Sequence, residues 1–460
     1  MPKKILVVSG LVGIAVVVVL LTISLREAGR PPSEVIRPDA VQSTARPSGA
    51  LRRNARPRND AARRRDGSSA IAKVSETLSA SFLESLRTAW EAYRNQLAAN
   101  SSTSKVISSS DVSPDNGFHY FLRAAELLPG FDFEKFRALL DKMRAEGWVD
   151  DPELRTFFEK CQVAFDALRE GLAAGTAQAP LPRGPDEPMP YLANFRNLTR
   201  ALAMQMEWEG LQGNYSSAFD DYVTLVQFGT DSTNGGAIIN ALVGYAMINI
   251  ATNSMTNLAS GTNASAEDYR SLITRLQAED ARFDILQNAA ATELQWIDSW
   301  LEERRRAGDF DALTPDEREV LLTNPARFLG DYLALPFYEA QTVDTSDLMA
   351  DPLSGTIMSG YLELPEAEAR TRAQVRGTIV AAAIRLYVLD HDSLPTSLSE
   401  LAPSYLPQLP EDPFTGESFR WQPVEGSYIL YSSGADMEDN DGLGDTSGKT
   451  PGTDLVLARF

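Results

Sequence analysis

Ile5 to Leu25 is a run of twenty-one residues without a charge, and it decides how the rest of the chain is deployed. At 1.5 Å rise per residue, a helix of that length crosses about 30 Å of hydrocarbon. The run follows Met-Pro-Lys3-Lys4, a short basic start at residues 1–4, and gives way to Arg26-Glu-Ala-Gly-Arg30. No small-x-small pattern for a signal peptidase is present there, so residues 5–25 read as a retained single-pass anchor rather than a cleaved leader. For orientation, Arg26, Arg30 and Arg37 compete with Lys3 and Lys4 under the positive-inside rule.

Residues 26–69 have the composition of a disordered linker. Arg30 to Ser69 holds five Pro among scattered Arg, Ala and Ser, with almost no apolar periodicity. Its clusters Arg52-Arg53 and Arg63-Arg64-Arg65 also suit anionic lipid headgroups. Arg26 to Asp66 carries eleven Arg and five acids; with these and Lys3 and Lys4 set aside, the chain's net charge of −20 becomes −28 over Gly67 to Phe460. So acidic a body argues against nucleic-acid binding, which needs a basic face for phosphates. Cys161 is the only cysteine, and His119 and His391 are the only histidines. That leaves no internal disulfide and no Cys-rich zinc site.

From residue 70 to 364 helical spacing dominates. Leu78, Phe82, Leu86, Trp90 and Tyr93 recur every three or four residues, as on a buried helix face. After a Ser-rich break from Ser101 to Pro114, helices are predicted over Gly117 to Leu128, Asp132 to Glu146 and Pro152 to Ala174. The last has Asp151 as its cap and Pro152 in its first turn. Ala177 to Pro190 is a Pro-rich connector. Tyr191 to Phe228 reads as a helical hairpin: Leu198, Leu202 and Met206 lead into Gly213-Asn-Tyr215, and Ala218, Phe219, Tyr222, Leu225 and Phe228 form the second stripe. It resembles one tetratricopeptide unit, but no recurrence near 34 residues follows, so a generic helix pair is preferred.

Gly235 to Leu258 is apolar enough to suggest a second span. Asn240, Asn249, Thr252, Asn253 and Asn257 would then enter lipid unsatisfied, at a cost of up to several kcal/mol each, so a buried core helix is expected. Ala266 to Glu279 and Phe283 to Arg305 follow, the second carrying Leu286, Leu294, Trp296, Ile297 and Trp300 inward and closing on Arg304-Arg305-Arg306. Pro315 to Leu322 reads as a short helix, and Thr323 to Leu364 as irregular.

Residues 365–460 change character. A helix from Glu366 to Asp390 ends in Leu386-Tyr-Val-Leu-Asp390, then come Leu394-Pro-Thr396 and Leu409-Pro-Glu-Asp-Pro-Phe414. A strand-like run, Tyr428-Ile-Leu-Tyr-Ser-Ser-Gly-Ala-Asp436, opens at its Gly turn into Glu438, Asp439, Asp441 and Asp445. The chain returns as Asp454-Leu-Val-Leu-Ala-Arg-Phe460. Carboxylate and carbonyl oxygens on one loop suit a hard cation, Ca2+ first. In this order the motifs resemble the C-terminal domain of the major pseudopilin of type II secretion, over about the last 95 residues. The resemblance implies a long helix on a short antiparallel sheet, clipped by one Ca2+. The Ser433 carbonyl, Asp436 and Asp454 would be ligands, with the shell completed from among Asp439, Asp441 and Asp445. It does not reach the N-terminus: after Gly10 the chain reads Leu-Val-Gly-Ile-Ala15, without the Glu that pseudopilin processing uses, and no amphipathic stem follows.

Other chemistry fails on inspection. Gly442-Leu-Gly-Asp-Thr-Ser-Gly-Lys-Thr450 looks like a phosphate loop, but Leu443 stands where its first Gly belongs and Pro451 precedes a strand rather than a helix. Asp439-Asn-Asp441-Gly442 is a fragment of an EF-hand with Met437 and Gly448 in place of end ligands. Ser102-Thr-Ser-Lys105 lies in the Ser-rich break, His119 reads as packed or capping, and His391 as an exposed turn residue.

The expectation is therefore mainly α: a transmembrane helix, a disordered linker, a helical body of hairpins and a small α+β pseudopilin-like module. It describes a single-pass protein of the cell inner membrane, its body extracytoplasmic as a calcium loop favours, scaffolding or binding an unidentified envelope protein. Two other classes stay open, an accessory subunit of a type II secretion-like or pilus-like system, and a hydrolase with an unrecognised carboxylate site in the helical body.

Overall fold

Short polar residues stand where four of the described α-helices begin, and their side chains take up amides that a helix start leaves unpaired. The Asp151 carboxylate accepts from the N–H groups of Glu153 and Leu154, with Pro152 in the first turn as predicted. Asn116, Asp132 and Ser265 do the same for the helices they precede. The computed structural model describes residues 107–181, 189–259, 264–306, 330–345, 360–424, 427–448, 450 and 452–460. The anchor expected at 5–25, the linker at 26–69, the stripe from Leu78 to Tyr93, Ser102 with Lys105, and the helix at Pro315 to Leu322 lie outside the described residues. Among the described residues no helix is long and apolar enough to cross a membrane.

The described body comprises α1 (Gly117–Leu127), α2 (Phe133–Glu146), α3 (Pro152–Ala173), α4 (Tyr191–Leu211), α5 (Tyr215–Asp231), α6 (Ile238–Ala259), α7 (Ala266–Ala281) and α8 (Ile285–Arg306). At its centre Phe118 and Phe195 meet edge to face at 5.5 Å, Phe195 and Phe228 at 5.2 Å, and Phe121 and Phe228 at 5.1 Å. The α4–α5 hairpin turns at Gly213, whose φ of +83 favours glycine. Helices α5 and α6 cross where Gly229 faces Gly244; a Cβ on Gly244 would lie 2.6 Å from the Gly229 carbonyl oxygen. Of the polar residues that argued against a lipid-facing α6, Asn240 and Thr252 find partners inside, Asn253 is exposed, and the buried Asn249 Oδ1 has no hydrogen-bond partner. Asn240 donates to the Tyr191 hydroxyl (3.3 Å), and Thr252 donates to the Ile248 carbonyl (3.0 Å) beside the Tyr222 hydroxyl.

Two buried carboxylates cap helices far from them in sequence. Glu293 on α8 accepts from the N–H of Ile238, the first residue of α6, at 3.1 Å and from the Tyr361 hydroxyl at 3.2 Å. Glu368 accepts from the N–H of Leu286 in the first turn of α8 at 2.8 Å and from the Tyr245 hydroxyl at 2.6 Å. Burial pushes both carboxyls above the ordinary value of 4.5.

Glu368 belongs to α10 (Leu364–His391), the spine shared by body and module. On one side Asp280 of α7 accepts from Arg372 at 2.7 Å and Arg376 at 2.9 Å, and Arg376 donates on to the Glu411 carbonyl of the module at 2.7 Å. On another side the sheet lies so close that a Cβ on Gly377 would sit 2.9 Å from Leu457. The stretch expected to be irregular contains α9 (Phe337–Ala340), and Phe337 meets the module's Phe414 at 5.1 Å.

The sheet comprises β1 (Arg420–Val424), β2 (Ser427–Ser432), β3 (Gly444–Asp445) and β4 (Asp454–Arg459), in the order β1-β2-β4-β3. Strands β2 and β4 pair antiparallel, Leu430 opposite Ala458 and Tyr431 opposite Val456, with a bulge between. The expected all-antiparallel sheet is in fact mixed, because β3 runs parallel to β4. The acidic loop crosses from the end of β2 to the far side of β4, so β3 starts at the same end as β4 and runs with it. Leu430, Leu455 and Leu457 join the main core, while Ile429, Tyr431 and Val456 form a second cluster on the opposite face. Gly442 of the acidic loop lies against Ile429 and Tyr431 on that face.

Candidate functional site

Strand β2 runs out into buried Ser432 and Ser433, and Gly434 takes φ +67 to open a 3-10 turn, Gly434–Asp436. Asp454, at the start of β4, is fully buried; its carboxylate accepts from the N–H groups of Asn440 (3.1 Å) and Gly442 (2.7 Å), pinning the loop to the strand. Asp439 accepts from the Tyr431 hydroxyl (2.9 Å) and the Asp441 N–H (3.0 Å), and Asp436 from the Glu438 N–H (3.1 Å). Asp445 is employed elsewhere, accepting from the Ser447 N–H (2.7 Å), the Ser447 hydroxyl (2.6 Å) and the Gly448 N–H (3.0 Å).

The two ends of the loop differ electrostatically. Burial lifts the Asp454 carboxyl; the two backbone donors pull it back, but the charges of Asp439 and Asp436 oppose its ionisation and leave it above the ordinary value. At Asp445 burial is outweighed by the donors from Ser447, Gly448 and Thr450, which hold it below the ordinary value. The charges of Asp436 and Asp439 thus both bear on Asp454 at the base of the loop, near the Ser433 turn, and Asp441 lies within electrostatic reach of Tyr431. Among the described residues no three acidic, His or Cys side chains stand together as a metal shell. The Asp454 oxygens already serve the protein's own amides, and a calcium shell would require Asp436 and Asp439 to close upon them.

A cavity of about 320 Å³ opens where the module meets the body. Thr378, Ala381 and Arg385 of α10 form one wall, Phe219, Met255 and Leu272 of α5, α6 and α7 a second, and Val456 to Arg459 of β4 with the following Phe460 a third. Its volume is in the range of binding pockets, and its lining is apolar with a few polar groups. Arg385 stands over the Phe460 ring at 4.8 Å, which stiffens that corner.

The body also holds a carboxylate network that the sequence reading missed. Glu207, buried on α4, accepts from Arg137 at 2.6 Å and from Arg144. Asp221 on α5 accepts from Arg169 at 2.8 Å and Gln205 at 3.2 Å. Burial, with the Asp221 charge adding to it, pushes Glu209 up to about 7. Burial likewise pushes Asp221 up to about 6 against the pull of Arg169. The available signal was Glu207-Trp-Glu209 following the buried Met204-Gln-Met206, two acids on a helix that is otherwise almost wholly core. His119 behaves as a capping residue: its Nδ1 lies 2.7 Å from the Ser109 carbonyl and 3.0 Å from that of Val112. His391 is exposed and stacks on Tyr387 at 4.1 Å.

No family model, curated protein or solved structure matches the chain.

Proposed function

We propose that the chain is a membrane-anchored scaffold of the bacterial envelope whose helical body and C-terminal module together hold a protein partner. The observation that carries this reading is the cavity at their junction, about 320 Å³ and walled by both parts. A pocket between two units joined by one rigid helix gives a partner a defined seat, and the uncharged run at 5–25 with its Arg/Pro linker supplies the tether. The likeness of the last 95 residues to a pseudopilin domain supports an envelope setting and an extracytoplasmic body.

A photo-crosslinking residue placed at Thr256, in the cavity wall, tests the reading against one at Val163, which is 60% exposed on α3. Discrete cross-linked products from position 256 and none from 163 are expected in intact cells. Equal labelling from both would contradict a seat in the cavity.

Ca2+ is the second part of the reading, supported by the charges of Asp436 and Asp439 that oppose the ionisation of Asp454, an opposition a cation would relieve. Binding to the native loop alone stabilises by about 3 kcal/mol at a hundredfold excess over Kd. A chelator should therefore lower the melting temperature of the full chain and leave an Asp436→Ala variant unmoved. An unshifted wild-type melt would remove Ca2+ from the account.

A further inference from the structure

Three carboxyls crowd the α4–α5 hairpin, and only two of them are provided for. Glu207 accepts from the guanidinium groups of Arg137 and Arg144, and Asp221 from Arg169 and the Gln205 amide. Glu209, two residues beyond Glu207, has its Oε2 buried without a hydrogen-bond partner. The residue as a whole is only partly covered, so solvent can exchange a proton with it. It stands in the last turn of α4, at the negative end of the helix dipole, and its own carbonyl accepts the Asn214 N–H at 2.9 Å that closes the hairpin. The charges of Asp221 and Asp220 on α5 oppose its ionisation, and that of Arg169 on α3 favours it. Asp220 is in turn engaged by Arg275 of α7, and Arg169 by Asp166 and Asp221. Helix α6, which packs along α4, carries no charged residue. Burial is the largest cause and moves the Glu209 carboxyl up to about 7.

We infer that Glu209 is a proton-operated latch of the α4–α5 hairpin: neutral, it lets the turn seat against α3, and ionised, it drives the turn open. A charge at Oε2 finds no donor to replace the water it gives up, and the negative end of α4 and both α5 aspartates push against it. The ionised side chain therefore reaches hydration only by displacing the residues around the turn. Asp221, though raised as well, has Arg169 and Gln205 in place to receive its charge. The sign follows from the direction of the shift. A folded value above 4.5 means that the Glu209 contribution to stability is complete below the unfolded value and is lost as pH rises through about 7. The effect reaches the junction, because Phe219 in the second turn of α5 is part of the cavity wall. A hairpin that loosens moves that wall, whatever the cavity holds.

Trp208, buried next to Glu209 and packed against Phe158 at 5.9 Å and Trp148 at 5.8 Å, reports on the turn. The full chain in detergent micelles, labelled with fluorotryptophan, is titrated from about pH 5 to about pH 8.5, a range that spans the ionisation. The Trp208 fluorine resonance is assigned by its loss in Trp208→Phe. The latch predicts one transition of that resonance centred near pH 7. Amide exchange of residues 212–216, corrected for intrinsic rates, should rise about tenfold between about pH 6 and about pH 8. Glu209→Gln, neutral and of the same shape, should abolish both changes. Asp221→Asn removes an opposing charge, so it should keep the transition and lower its midpoint. No transition in the wild type, a transition that survives Glu209→Gln, or a moving resonance with unchanged exchange across the turn overturns the inference. Should Glu209→Gln fail to fold, Asp221→Asn decides, since an unmoved midpoint would overturn it equally.

Discussion

The helical body and the C-terminal module both use carboxylates to hold backbone amides, over different distances along the chain. In the body Glu293 reaches an amide 55 residues away and Glu368 one 82 residues away, each bracing the start of another helix. In the module Asp454 reaches amides 12 and 14 residues away, and Asp445 serves a turn two and three residues on. The body's polar links thus hold helices to one another, whereas those of the module hold a loop onto a strand. Damage to the first should spread, and damage to the second should stay local.

The largest contrast is expected from the aromatic centre. Phe195→Ala removes a fully buried ring touching Phe118, Phe121, Tyr191 and Phe228, and should cost about 3–5 kcal/mol in urea unfolding, with faster amide exchange across α1, α4 and α5. A cost below about 1 kcal/mol would mean that the body is not organised around that cluster. Asp454→Ala should cost less, about 1–3 kcal/mol, because it strands the N–H groups of Asn440 and Gly442. Exchange should rise in residues 437–448 and stay unchanged in the body's helices; loss of protection in α4 and α5 as well would erase the distinction between the two regions.

A smaller effect separates them by pH. A carboxyl whose folded value lies above its unfolded one contributes stability that is complete below the unfolded value and lost as pH rises through the folded value. Glu209 moves from 4.5 to about 7 and Asp221 from 3.8 to about 6, with Glu279, Glu293 and Glu368 raised too. The body should therefore loosen between pH about 4 and 7. In the module the signs are split: Asp412 rises to about 6 while Glu400 falls to about 2 and Asp445 is also lowered, so its stability should vary less. Amide exchange in α4 and α5 against β2 and β4, corrected for intrinsic rates, measures this; equal slopes would break the comparison.

How much the sequence disclosed follows the same division. Helices α1 to α8 begin and end within a few residues of their predicted bounds, because caps and apolar spacing act within one or two turns. The neighbouring strands β2 and β4 and the long α10 were legible for the same reason. Strand β1 was not, since Arg420-Trp-Gln-Pro-Val424 has no alternation and carries a Pro tolerated only at an edge. The two-residue β3 left no pattern to find, and the distant helix caps of Glu293 and Glu368 depend on folding that local periodicity does not encode. The aspartates of the acidic loop were named from their order, and that order does not show that Asp454 spends its oxygens on backbone amides or that Asp445 closes its own turn. The junction cavity, made by α5, α6, α7, α10 and β4 together, has no signature in any one segment.

The cavity at the junction bears most of the weight, and site-specific photo-crosslinking tests it most directly. Discrete cross-linked products from position 256, in the cavity wall, and none from the exposed position 163 are expected in intact cells. Equal labelling from both positions would show that the cavity seats no partner.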